Sequence, residues 1–282
     1  MQKDLCKNND TVILAINGDI FTKYSDNTTI DNRAMGKNFH YTHFFGNGGL
    51  LELFTNLTEN NPKIQIVFNL GNHEVMKRRL HLLAYFFQVI RNQLGDRFHV
   101  VSNLKVKEPD IDPRWEGGSK KGLVDFVRPA VTIAGITFVG YCTTRIFEAT
   151  EWKGKSLYGY ARKHFYHLDG EKNYRQSFVK NVRNIVRKQM HMPVLFILAH
   201  EGTGEFRKIW QKVEGDSKNN GNYLSAVKQR IIATGHIHGQ SKDRCGLSSS
   251  VIIPDSFGRS VEVVELGFDV SGEVDIKEYS KN

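Results

Sequence analysis

Six side chains in this 282-residue sequence stand where metal chemistry is done: Asp19, Asn72, His73, His200, His236 and His238. Each closes or follows an apolar run. "TVILAING" (11–18) stops at Asn17-Gly18-Asp19, and "KIQIVFNL" (63–70) stops at Gly71-Asn72-His73-Glu74. "MPVLFILAH" (192–200) ends in His200, and "QRIIATGHIH" (229–238) ends in Gly235-His236-Ile237-His238. A carboxylate, an amide oxygen and several imidazoles form a donor set for Mn, Zn, Fe or Ni, whereas four cysteines would have meant structural zinc. Taken singly, Asp19 reads as a turn or helix cap, His200 as a histidine on a sheet rim, and Gly-Asn-His-Glu as a turn with a helix cap. The repetition at four strand ends points instead to one shared site.

The elements that must position these groups follow from the hydrophobic pattern. The apolar runs at 11–18, 63–70, 192–200 and 229–238 read as buried strands. Open α/β sheets present ligand sites at the carboxyl ends of their strands, so the six residues are expected to converge on one crevice. "GLLELFTNLTEN" (49–60) has helical spacing, and "VMKRRLHLLAYFFQVIRNQLG" (75–95) reads as a helix ended by Gly95. "FHVVSNLKV", "VDFVRPAVTIAG" and "ITFVGYCT" read as strands with tight turns. Residues 174–190 form an amphipathic helix with Phe178, Val182, Ile185 and Val186 on its apolar face. Residues 22–47 are a long polar loop, and 250–279 look like antiparallel strands. The fold class expected is α/β, with two mixed sheets and helices outside, in a single domain over residues 1–282.

Composition narrows the function. The net charge is +9, with 40% hydrophobic and 24% charged residues. That suits a globular protein with a basic surface open to anionic partners. Lys77-Arg78-Arg79 and Lys120-Lys121 are short and scattered, and no nucleic-acid-binding motif accompanies them. Three distant cysteines, Cys6, Cys142 and Cys245, argue against a disulfide framework and for a reducing compartment, the cytoplasm. The polar start "MQKDLCKNND" is no signal peptide, and no apolar run reaches a membrane span.

The order "NGD … GNHE … AH … GHIH" resembles the calcineurin-like metallophosphoesterase superfamily, whose motifs run D-x-H, G-D, G-N-H-[DE], H and G-H-x-H. The resemblance covers residues 11 to about 280. The stretches "FHVVSNL", "GITFVGYCTT" and "DSFGRSVEVVELGFDVSGEV" are similar to the catalytic domain of 5′-nucleotidase-type enzymes, while "GDIFTKY" lacks the G-D-x-x-D-R-G of phosphoprotein phosphatases. The resemblance implies a four-layer αββα sandwich and hydrolysis of a phosphomonoester, on a phosphorylated small molecule such as a nucleotide or on a phosphoprotein. It implies one or two divalent metals, with Asp19 bridging. Asn72, His200 and His236 would share one site with it, and His238 would belong to the other. His73 would not be a ligand. It would give a proton or hydrogen bond to the phosphoryl oxygen or leaving group.

Two departures accompany the match. No D-x-H precedes "TVILAING", which leaves the second metal with Asp19 and His238. Met76 stands where the 5′-nucleotidase type has an aspartate to orient the catalytic histidine, with Asp26 or Glu74 as substitutes. His40, His43, His164, His167 and Asp169 read as ordinary loop residues rather than replacement ligands. The departures imply an alternative: a degenerate relative that binds one metal or a phosphorylated partner without turnover.

Overall fold

The computed structural model describes residues 11–18, 49–72, 74, 87, 89–106, 127–147, 151–152, 155–156, 165–166, 170–189, 192–235, 250–253, 263–268 and 274–279. The first sheet contains β1 (Val12–Asn17), β2 (Ile64–Asn69), β3 (Phe98–Val101) and β4 (Val127–Arg128), in that order and all parallel. Five of the six residues of β2 are buried, as a parallel strand covered on both faces requires. Helix α1 (Leu50–Glu59) lies between β1 and β2 in the chain and buries Phe54, whose ring meets Phe98 of β3.

The second sheet has the order β9-β8-β7-β6-β5. Its strands are β5 (Ala130–Ile133), β6 (Ile136–Tyr141), β7 (Met192–Ala199), β8 (Val227–Thr234) and β9 (Ser250–Ile253). All pairs are parallel except the β5–β6 hairpin. Helices α2 (Glu171–Lys188) and α3 (Thr203–Asn219) supply the crossovers into β7 and β8. A separate antiparallel pair, β10 (Val263–Phe268) and β11 (Val274–Tyr279), ends the described chain. Among the described residues no helix is long and apolar enough to cross a membrane.

Strand periodicity separates the core into two clusters. On β7, Leu195, Ile197 and Ala199 join Phe178 of α2 and Phe206 and Trp210 of α3. The alternate residues Val194, Phe196 and Leu198 join Phe138 of β6 and Ile231 of β8, and with them Val67 and Val101 of the first sheet. The two sheets therefore meet through this smaller cluster. Burial of each such side chain contributes roughly 1.5–3 kcal/mol.

Several expectations change. The run 11–18 forms a strand, but not a buried one. Among the described strands β1 pairs with β2 alone, and Leu14 is 37% exposed. An apolar run reports strand propensity and does not distinguish centre from edge. Strand β9 joins its sheet in parallel, whereas the C-terminal stretch reads as antiparallel throughout. Helix α3 was not assigned from the sequence, yet Phe206, Ile209, Trp210 and Val213 fall on one buried face. The helix expected over 75–95 is described at 87 and 89–94 only, and Gly95 there has φ +58°. The 22–47 loop lies outside the described residues.

His99 on β3 is half-buried, and burial, reinforced by Arg128 and opposed by Asp96, holds its imidazole below the ordinary range. The unfolded chain then binds the proton first as pH falls below about 6.5, so folded stability declines there. Urea unfolding between pH 7.5 and 5.5 is expected to show a flatter acid decline in His99→Gln than in the parent; equal declines would contradict this.

Candidate functional site

The carboxyl ends of β1, β2, β6, β7 and β8 come together, and the two asparagines that end β1 and β2 join them. Asn17 and Asn69 are register partners in the first sheet. Asn69 Nδ2 donates to Asn17 Oδ1 at 2.9 Å and to the Tyr141 carbonyl, the last of β6, at 3.0 Å. Asn17 Nδ2 donates to the Ala199 carbonyl, the last of β7, at 2.9 Å and to the Ala233 carbonyl of β8 at 3.2 Å. Gly235, just past β8, donates its N–H to Ala199 O at 2.9 Å.

His200 stands on this platform. Its backbone N–H donates to Tyr141 O at 2.8 Å, and its side chain is 2% exposed. Nδ1 lies 2.8 Å from the Asn17 carbonyl, which can only accept, so Nδ1 carries a proton. Nε2 lies 3.1 Å from Asn72 Oδ1, a second acceptor. In a neutral ring with Nδ1–H, two lone pairs face each other there. A turned Asn72 amide, with Nδ2 donating to Nε2, or a shared cation resolves that contact. Two ligands about 2.1 Å from one ion lie about 3 Å apart at an octahedral angle and about 3.4 Å apart at a tetrahedral one, so the spacing is compatible with a shared metal and is also an ordinary hydrogen-bond distance. A backbone carbonyl on the far ring nitrogen is the usual way a metal-binding imidazole is aimed.

Of the residues expected at the site, the structure brings Asn72 and His200 into contact. Asp19, His73, His236 and His238 lie outside the described residues, as do Asp26, His40, His43, His164, His167, Asp169 and Met76. Their chain neighbours Asn72 and Gly235 belong to the cluster just described. Among the described residues no group of three or more His, Cys, Asp or Glu is placed to hold a metal ion. Glu74, a candidate partner for His73, is fully buried and accepts the Gly71 N–H on Oε2 at 2.7 Å, closing the Gly-Asn-His-Glu turn.

Three neighbours of this cluster escaped the sequence reading. Asn17 and Asn69 are two of them; an asparagine at the end of each apolar strand was their only signal. The third is Glu201, 2% exposed, whose Oε2 accepts from Thr144 N at 2.6 Å, Thr144 Oγ1 at 2.7 Å and Thr143 Oγ1 at 3.3 Å. It ties the segment after β7 to the one after β6. Beneath it, the Tyr174 hydroxyl lies 2.8 Å from Asn103 Oδ1 and 3.0 Å from Cys142 O. Burial pushes the Tyr174 phenol well above its ordinary range, so it remains a donor.

No protein-family model matches the chain, and a comparison with curated proteins likewise finds no match.

Proposed function

We propose that this protein is a metal-dependent phosphoesterase of the calcineurin-like kind, acting on a phosphomonoester carried by a small molecule or a protein. The observation that carries the reading is the contact of His200 Nε2 with Asn72 Oδ1 at 3.1 Å where strand ends of both sheets converge. Both residues belong to the motifs that resemble the family, and the resemblance implies that both are ligands. The four-layer αββα arrangement belongs to the same proposal. It is supported by the small apolar cluster shared between the sheets and by α2 and α3 packing on the other face of the second sheet.

In this reading Asn72 and His200, with Asp19, His236 and His238, hold one or two divalent ions. A metal held there would supply positive charge against the phosphoryl oxygens and would acidify a water. Asn17 fixes the His200 tautomer, and His73 delivers a proton or hydrogen bond to the leaving group. The odd, scattered cysteines go with a cytoplasmic setting.

The test is metal content per chain, with hydrolysis of p-nitrophenyl phosphate in Mn or Ni, on the parent and on Asp19→Asn. One to two metals per chain with turnover lost in Asp19→Asn is expected. No metal and no turnover would overturn the proposal. Met76, in place of an orienting aspartate, favours a second reading as a non-hydrolysing binder; metal retained without turnover would select it.

A further inference from the structure

We infer that Asn17 and Asn69 are a positioning pair that aims His200 at Asn72 across the two sheets. The inference rests on the metal-site reading for its purpose but on geometry for its content. All four amide protons of the pair are placed on acceptors: Asn17 Oδ1, Tyr141 O, Ala199 O and Ala233 O. Three of those acceptors are carbonyls at the ends of β6, β7 and β8 in the opposite sheet. The residues that follow these carbonyls directly, or one step later, are Cys142, His200 and Gly235. The pair thus joins the first sheet to the segments that carry the site's groups.

Only a carboxamide fits. An aspartate at either position would present a carboxylate to carbonyl oxygens, and an aliphatic residue would offer no donor. Among the described residues Asn69 Oδ1 also has no hydrogen-bond partner, although Asn69 is fully buried. The amide forgoes an acceptor contact in order to place both N–H groups. Asn17 then does a second job, since its own carbonyl takes the His200 Nδ1 proton at 2.8 Å. Moving Asn17 moves the atom that sets which way the imidazole points. A residue that orients a ligand in this way commonly matters tenfold to a hundredfold for metal affinity.

The experiment compares the parent, Asn69→Ala and Ile209→Ala. Ile209 is fully buried on α3 and serves as a control for general core loss. Folding is verified by circular dichroism. The readouts are Mn²⁺ affinity and the His200 Nδ1–H signal in a proton–nitrogen correlation spectrum of the metal-free protein, assigned by its loss in His200→Gln. In Asn69→Ala, Mn²⁺ binding at least tenfold weaker and a lost or displaced Nδ1–H signal are expected. Ile209→Ala should keep the signal and bind within twofold of the parent. An Asn69→Ala protein with parental affinity and signal overturns the inference, as does a parent with no protected Nδ1–H signal. A parent that keeps the signal but binds no Mn²⁺ sinks the phosphoesterase reading alone, and the positioning claim is then decided by the signal in Asn69→Ala. Should Asn69→Ala not fold, Asn17→Ser, which retains one donor, is measured against the same criteria.

Discussion

Gly140→Ala is expected to destabilise the fold by about 3 kcal/mol, near the upper end for overpacking a core. Gly140 lies on β6, where the sheets touch. A Cβ there would sit 2.5 Å from both the carbonyl carbon and the carbonyl oxygen of Val101, and 2.6 Å from Asn69 Oδ1. The obstacle is backbone on a central strand. β3 is held between β2 and β4, and β6 between β7 and β5, so neither can give way without disturbing its own sheet. Relief could come only by prising the sheets apart over the small shared cluster, which includes Val67, Val101 and Phe138. Urea unfolding of parent and variant measures the loss; an unchanged midpoint would mean that the sheets do not approach so closely.

Gly18→Ala should be as damaging to stability and far more damaging to the site. Gly18 has φ +78°, a left-handed conformation that costs an L-residue roughly 1–2 kcal/mol. An added Cβ would also stand 2.5 Å from His200 Nδ1 and 2.8 Å from Gly71 Cα. The first contact displaces the ring from the Asn17 carbonyl, and the second pushes on the turn that carries Asn72. The two atoms now 3.1 Å apart would separate. A loss of about 2–4 kcal/mol is expected from strain and overlap together. Metal affinity should fall about tenfold to a hundredfold. Urea titration and Mn²⁺ binding on the same preparation check both parts, and parental affinity in a folded Gly18→Ala protein would contradict the site's geometry.

What could be read from the sequence follows from the range over which each signal acts. Strands β2, β7 and β8 and helices α1 and α2 are local patterns, and they appear where apolar periodicity places them. The meeting of strand ends was also legible, because four apolar runs stop in ligand-type residues and parallel strands share a carboxyl edge. His200 and Asn72 are in contact, but they follow strands of different sheets, and a carboxyl edge shared within one sheet does not by itself bring them together. Edge position among the described strands was not legible: Val12 to Ile16 is as apolar as a central strand, and only the structure shows Leu14 exposed. The asparagine pair was hidden for a related reason. Asn17 and Asn69 look like turn residues, and partners 182 and 216 residues further on leave no trace in local spacing. Glycines at 204 and 215 and scattered charges thinned the helical signal of α3, although its apolar face was present.

The span between Asn17 and its acceptors also sets a timetable. Asn17 reaches Ala233 across 216 residues of chain. At about 5–20 residues per second, a ribosome takes roughly 10–45 s to make that stretch, so strand β1 must wait that long before its last residue can be satisfied. Any β1–β2–α1 unit formed early lacks the floor of its future site, and the site closes only when β8 docks. Site formation then waits for β8, and a nascent chain stalled before β8 would carry the Gly-Asn-His-Glu motif without the assembled cluster of strand ends.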